Sequence, residues 1–297
     1  MYPRSFHYHR ANSLEEAATM LAQLGDDAKV LAGGQSLIPL MKLRFANPTH
    51  LVDLNFVSGA AYIKGENGAW RFGALTRHSE IEKSTLKNSF PIIHDCAAGI
   101  ADVQVRNRGT IGGSLAEADP SGDWATVLLT QNTELRCLSP RGERTIRLDK
   151  FITDAYTTVL EHDELVCEVV VKAPEKGSGG AYLAFKRSAP VYPTASAAVQ
   201  LTVEGGICKD AAITLGGVGL VPVRASEAEA ALRGHTIDSK TIRAVMEAVH
   251  QAADPQPDMR GSAEYKRSLV AALVKGGIGL AVERARGKQV KVSHIYA

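Results

Sequence analysis

Thr110-Ile111-Gly112-Gly113-Ser114-Leu115-Ala116-Glu117-Ala118-Asp119-Pro120-Ser121-Gly122-Asp123 is the stretch around which the chain is organised. A β-branched pair leads into two glycines and a serine, and an acidic, proline-broken turn then opens a helical pattern. Glycine has no Cβ to hold a ligand off the backbone, so consecutive amides there can point at an anion. Taken singly, a double glycine is also an ordinary tight turn. A second stretch of the same kind, Ala32-Gly33-Gly34-Gln35-Ser36, stands well upstream. Two such loops in one chain point to one long diphosphate ligand. Neither is followed by Gly-Lys-Ser/Thr and neither has G-x-G-x-x-G spacing, so P-loop and Rossmann folds are disfavoured.

With 297 residues the chain is long for one core, and two or three modest domains are expected. Hydrophobic residues at 45% and charged residues at 22% give the balance of a soluble globular protein. The net charge of +2 leaves no electrostatic footprint for nucleic acid or an anionic membrane. Met1-Tyr2-Pro3-Arg4-Ser5-Phe6-His7 opens no apolar signal core, and no apolar run is long enough for a membrane span. The cytoplasm is the expected location. Cys96, Cys137, Cys167 and Cys208 sit singly among apolar neighbours with no C-x-x-C pair, so no metal or cluster ligation by this chain is expected. Any redox work falls to an organic cofactor. The histidines form no H-E-x-x-H, with His7 and His9 alternating on an expected surface strand, and no serine has a G-x-S-x-G context.

Along the chain, Ser13 and Glu16 form a capping box before Leu14, Ala17, Ala18, Leu21 and Leu24, a helix stopped by Gly25. Lys29–Ala32 reads as a buried strand feeding the first glycine pair, with Ser36 placed to cap a helix through Leu37–Arg44. His50–Leu54 supplies another strand and closes a first unit at 1–57. A second unit, 58–174, opens with a hairpin around Asn67-Gly68. Short helices follow at Ser79–Lys83 and Pro91–Ile100. Asp102–Arg108 reads as extended, and the helix after the second loop begins near Pro120 with Asp119 or Ser121 as cap. Strands at Leu135–Leu138, Thr145–Leu148 and Glu164–Val171 make this unit mostly antiparallel. Ala173–Gly180, rich in Pro, Gly and Ser, is the expected linker. The third unit, 175–297, carries a strand at Tyr182–Arg187 and a hairpin around Gly205-Gly206. Helices are expected at Ser226–Leu232, at Ser239–Gln251 and from Glu264 to Arg284, the last interrupted by Gly276, Gly277 and Gly279. Lys288–Ala297 reads as a frayed basic tail.

A-G-G-Q-S and T-I-G-G-S, in that order, resemble the loops of the FAD-binding medium subunit of molybdenum hydroxylases, the carbon monoxide dehydrogenase and xanthine dehydrogenase family. Further matches are F-x-Y-H-R-A-x-S-x-x-E-A at the start, P-L-M-K-L-R-F-A, A-D-V-Q-V-R-N-R-G, A-D-P-S-G-D, F-K-R and R-G-S-A-E-Y-K-R near the end. The resemblance covers nearly the whole chain. It implies an α+β fold: a two-part FAD-binding region of the PCMH/vanillyl-alcohol-oxidase-like type, made of a small N-terminal α/β unit and a mixed, mostly antiparallel sheet. A C-terminal domain with an antiparallel sheet and helices follows. It implies that FAD lies between the two loops, touched by Val30, Leu31, Ala32, Gly33, Gly34, Gln35, Ser36 and Leu37 and by Thr110, Ile111, Gly112, Gly113 and Ser114.

By the same resemblance Asp123 hydrogen-bonds the ribityl or ribose hydroxyls, Ile100 and Val166 pack on adenine or flavin, Lys186 stands near the flavin ring and Tyr192 beside it. From the residues alone, the alternative readings are a helix-start acid for Asp123, core aliphatics for Ile100 and Val166 and a solvated strand lysine for Lys186. Tyr192 lies between prolines where relatives have G-D-Y/W-A-T-A, and Gln35 replaces the histidine usual in carbon monoxide dehydrogenases. That departure suits hydroxylation of N-heterocycles or aldehydes. The implied role is an electron-transfer subunit with no catalytic acid or base of its own. Its implied partners are a small [2Fe–2S] subunit, a large molybdopterin-binding subunit and an external acceptor, assembled as a dimer of heterotrimers. A stand-alone flavin oxidase or dehydrogenase and a cofactor-free scaffold remain alternatives.

Overall fold

The computed structural model describes residues 2–292 and 295–296. Its first unit comprises β1 (His7–Arg10), α1 (Leu14–Leu24), β2 (Ala28–Leu31), α2 (Leu37–Leu43) and β3 (His50–Asp53). The strands form a parallel sheet in the order β1-β3-β2. The Ser13 hydroxyl caps α1 by accepting from the Glu16 amide at 3.1 Å, but the Glu16 carboxylate accepts from the Asn12 amide instead of completing the box. Gly25 ends the helix at φ 72°. Ala17, Ala18 and Leu21 then bury their face in one core with Val52 and Leu54. Ser36 precedes α2 without a side-chain capping bond, contrary to expectation.

The second unit runs through β4 (Ile63–Glu66), β5 (Ala69–Gly73), α3 (His78–Lys83), α4 (Leu86–Ser89), α5 (Pro91–Gly99), α6 (Val103–Arg106), α7 (Ile111–Glu117), α8 (Asp123–Leu128), β6 (Glu134–Ser139), β7 (Gly142–Arg147), β8 (Ile152–Asp154), β9 (Thr157–Thr158) and β10 (Leu165–Lys172). Its sheet, β4-β5-β10-β6-β7, is antiparallel throughout. Asn67 and Gly68 both take positive φ, 51° and 73°, as the two-residue hairpin turn demands. Two expectations fail here for local reasons. Val103–Arg106 is a helical turn, not an extended run, because the Asp102 carboxylate accepts from the Val105 amide at 2.9 Å and starts it. Helix α8 begins at Asp123 and not near Pro120, since Asp119 folds back onto the Ser121 amide at 2.8 Å and leaves Gly122 as the cap.

The third unit has β11 (Ser178–Lys186), β12 (Ala195–Glu204), β13 (Ile207–Gly216), β14 (Val223–Arg224), α9 (Ser226–Leu232), α10 (Ser239–Ala252), α11 (Ala263–Ala285) and β15 (Ile295–Tyr296). The sheet order is β14-β13-β12-β11-β15, with β15 parallel to β11 and the other pairs antiparallel. The tail read as frayed therefore adds an edge strand; residues 293, 294 and 297 of it lie outside the described residues.

Gly179 and Gly180, expected in a linker, are inside β11. A Cβ on Gly179 would collide with the Ala281 carbonyl, so glycine there lets α11 lie directly on the strand. Helix α11 also runs unbroken through Gly276, Gly277 and Gly279, and a Cβ on Gly277 would stand 3.0 Å from the Val199 side chain. Close packing outweighs glycine's low helix propensity.

Strand β11 is the wall between the second and third units. Side chains alternate across a strand, so Tyr182 and Ala184 join the core of the second unit while Leu183 joins that of the third. Among the described residues no helix is long and apolar enough to cross a membrane.

Candidate cofactor site

The second glycine stretch is the start of a helix and not a free loop. Thr110 caps α7, its hydroxyl accepting from the Gly113 amide at 3.2 Å. The neighbouring amides are committed too: Ile111 donates to Thr76 O, Gly112 to Ala74 O and Ser114 to Thr110 O, at 3.1, 2.9 and 3.0 Å. The first stretch differs. No carbonyl among the described residues accepts from the amides of Gly33, Gly34, Gln35 or Ser36, and Gly34 takes φ 73°. The open cradle is therefore the loop between β2 and α2, entered from Val30 and Leu31 and left through Leu37.

The two stretches adjoin. A Cβ on Gly33 would stand 2.5 Å from the Arg108 carbonyl, and one on Gly113 would stand 3.9 Å from Ala32 Cβ. Asn55 helps hold them together: its Nδ2 donates to Ala32 O at 2.9 Å, and its Oδ1 accepts from Arg77 at 2.6 Å and from Arg108 at 3.3 Å. Arg77 also donates to the Arg108 carbonyl. Burial, and then the like charge of Arg108, lower the Arg77 pKa. Two guanidinium groups beside free amides make a local field for an anion. Sequence reading singled out none of Asn55, Arg77 and Arg108. Arg108 lies in the quoted R-N-R-G; the other two carry no local signal.

Where β11 meets the second unit, Asp123, Tyr182 and Lys186 converge. The Tyr182 hydroxyl donates to Asp123 Oδ1 at 2.7 Å, and Asp123 Oδ2 takes no hydrogen bond from the described residues. Lys186 is not a solvated strand lysine: it is 1% exposed, and its Nζ donates to Gly99 O at 2.5 Å. Ile100, next in the chain, and Val166 on β10 are both buried in the second unit's core. Tyr192 is 40% exposed on the segment after β11. The partial burial of its ring raises its phenol pKa first and the Asp119 carboxylate adds to this, while the Ser36 hydroxyl opposes it. Loop residues from all three units thus approach one region.

These features give two small α+β units that meet at an edge lined by free amides and two arginines, with a third unit contributing a buried lysine. Residues 4–174 match the family described as the FAD binding domain in molybdopterin dehydrogenase, and residues 180–279 match the CO dehydrogenase flavoprotein C-terminal domain. The 6-hydroxypseudooxynicotine dehydrogenase complex subunit alpha of Paenarthrobacter nicotinovorans is 40% identical over 99% of this chain and 100% of its own length. The carbon monoxide dehydrogenase medium chain of Afipia carboxidovorans is 37% identical over 97% of this chain and 99% of its own. Among solved structures, the carbon monoxide dehydrogenase of Hydrogenophaga pseudoflava superposes with a TM-score of 0.93 at 38% identity, over 96% of this chain and 99% of that one. Quinoline 2-oxidoreductase from Pseudomonas putida 86 gives 0.91 at 32%, over 96% and 99%. The chain belongs to the FAD-binding medium subunits of the carbon monoxide dehydrogenase and xanthine dehydrogenase family, and it is an oxidoreductase flavoprotein.

The residues present fit FAD. Free amides and the arginine pair suit a diphosphate, Asp123 Oδ2 suits a hydroxyl donor, and the remaining N–H groups of Lys186 suit an acceptor.

Proposed function

We propose that this chain is the electron-transfer subunit of a heterotrimeric molybdenum hydroxylase, passing electrons from iron–sulfur clusters through FAD to an external acceptor. The observation that carries the reading is the meeting of the two glycine stretches, one with free amides and one packed behind it, at the edge shared by the first two units. In this reading Val30, Leu31, Ala32, Gly33, Gly34, Gln35, Ser36 and Leu37 take the diphosphate. Thr110, Ile111, Gly112, Gly113 and Ser114 back them, and Ile100 and Val166 pack on the rings. Asp123 orients the cofactor's hydroxyls. Lys186 places a positive charge beside the flavin, and Tyr192 covers its outer side. When bound, FAD supplies two-electron chemistry that the side chains cannot; the chain positions it and tunes its charge.

Relatives named as a complex subunit and as medium chains support partnership with further subunits; in this reading these are a small [2Fe–2S] subunit and a large molybdopterin-binding subunit, two heterotrimers to an assembly, in the cytoplasm. The substrate pocket then lies in another chain. Relatives acting on 6-hydroxypseudooxynicotine, nicotine and caffeine, with Gln35 in the first loop, favour an N-heterocyclic substrate for the complex. Affinity purification of the chain from its native host tests this. Co-elution of an iron–sulfur protein and a molybdenum protein, with FAD released by acid, is expected. A chain that elutes alone and reduces its own flavin with a small molecule would replace this reading with a stand-alone flavoenzyme.

A further inference from the structure

Tyr182 and Lys186 lie on the same face of β11, four residues or about 13 Å apart along the strand, and Asp123 at the start of α8 reaches both. The Tyr182 hydroxyl, on a side chain with no exposed surface, donates to Asp123 Oδ1 at 2.7 Å. Lys186 Nζ stands 3.7 Å from that same oxygen. This is beyond an N–H···O bond, although a buried ammonium and carboxylate side by side ordinarily close to a charge-assisted bond of about 2.8 Å. Lys186 bonds the Gly99 carbonyl at 2.5 Å instead, at the C-terminal end of α5. One of its three donors is committed there.

We propose that Tyr182 is a positioning residue that holds Asp123 off Lys186, so that the ammonium is not tied into a direct bond with the carboxylate and its remaining N–H groups stay available to the cofactor. The inference rests on FAD lying against Asp123 and Lys186. A flavin that takes up two electrons and one proton gains one negative charge, and an ammonium nearby that is not bonded to a carboxylate favours that form. Without the phenol, Oδ1 is released, Asp123 closes onto Lys186 and the charge is masked.

The test uses the FAD-loaded protein, equilibrated with a reference dye and titrated with dithionite as electron source. In Tyr182→Phe the reduced-to-oxidised flavin ratio at a fixed potential is expected to fall about tenfold, ~30 mV for a two-electron couple. In an Asp123→Asn background the same change should produce no shift, because no carboxylate remains to close. An unchanged or raised ratio in loaded Tyr182→Phe overturns the proposal, as does an equal fall in both backgrounds. A merely structural tyrosine would lower the melting temperature and leave the ratio alone. If Tyr182→Phe does not load, Tyr182→Met, which also lacks the donor, is read in its place: a lowered ratio supports the proposal and an unchanged one overturns it. Lys186→Gln separates the two levels. If it leaves the ratio unchanged, the placement of FAD is wrong; if it lowers the ratio while Tyr182→Phe does not, only the role of Tyr182 falls.

Discussion

His78 is 4% exposed, and its Nδ1 accepts from Trp124 Nε1 at 3.0 Å. An indole N–H only donates, so Nδ1 carries no proton and the ring is neutral. Its other edge lies against Gly109, where a Cβ would stand 2.6 Å from Nε2. Burial, followed by the charges of Arg77 and Arg106, pulls its pKa down from 6.5 to about 3. The unfolded imidazole therefore takes a proton near 6.5 while the folded one resists until about 3, so stability falls with pH across that window. At ~1.4 kcal/mol per unit, the loss from this one group approaches ~5 kcal/mol at the acid end. Urea unfolding from pH 7 to pH 4 should show the slope in the wild type, and His78→Gln should flatten it. The sequence gives His78 no motif; only its burial beside the second glycine stretch makes it matter.

At the scale of elements, α7 changes the meaning of its own glycines. Gly112 is buried, and a Cβ there would stand 2.5 Å from Ala74 Cβ; Gly113 is exposed and would meet only Thr110 Oγ1, at 2.7 Å, and Ala32, at 3.9 Å. Gly112→Val should overpack the contact and cost about 1–3 kcal/mol or more, losing FAD together with the fold. Gly113→Val should cost about 1 kcal/mol through the Thr110 cap, yet weaken FAD at least tenfold. Thermal melts of the apoprotein beside fluorescence titration with FAD check this, and matched losses in both variants would remove Gly113 from the site. The hairpin at Asn67-Gly68 was legible from its turn residues, and the helix at Leu14–Leu24 from its apolar period between Ser13 and Gly25. Ends were less so. Val103–Arg106 is one turn, too short for period two and period 3.6 to be told apart, and Gly179–Gly180 looked like a linker because the helix that covers them lies a hundred residues on.

Across the whole molecule, Arg284 and Asp95 join what the sequence keeps apart. The guanidinium on α11 donates to both Asp95 oxygens on α5, at 2.5 and 3.0 Å, to Gly180 O on β11 at 2.7 Å and to Val290 O in the tail at 2.7 Å. The Tyr182 amide completes the carboxylate's set at 3.3 Å. Burial raises the Asp95 pKa while Arg284 opposes it. Both side chains are buried, so removing one strands the other: Asp95→Ala should cost about 3–5 kcal/mol. Urea unfolding measures that cost. Limited proteolysis between residues 173 and 177 reads whether the third unit loosens first, and a loss under 1 kcal/mol would show the pair to be dispensable.

The sequence by itself determined the α+β class, the glycine stretches and, through its motifs, the family and its FAD, because glycine placement and hydrophobic period are local properties. The tertiary structure decided which glycine stretch keeps its amides free, since those of Gly112 and its neighbours are claimed by Ala74, Thr76 and Thr110. It also decided that Lys186 is buried and that Asp123 Oδ1 takes the Tyr182 hydroxyl while standing 3.7 Å from the lysine's Nζ. Hydrogen-bond partners and burial are set by segments distant in the chain, and no pattern within a single stretch encodes them.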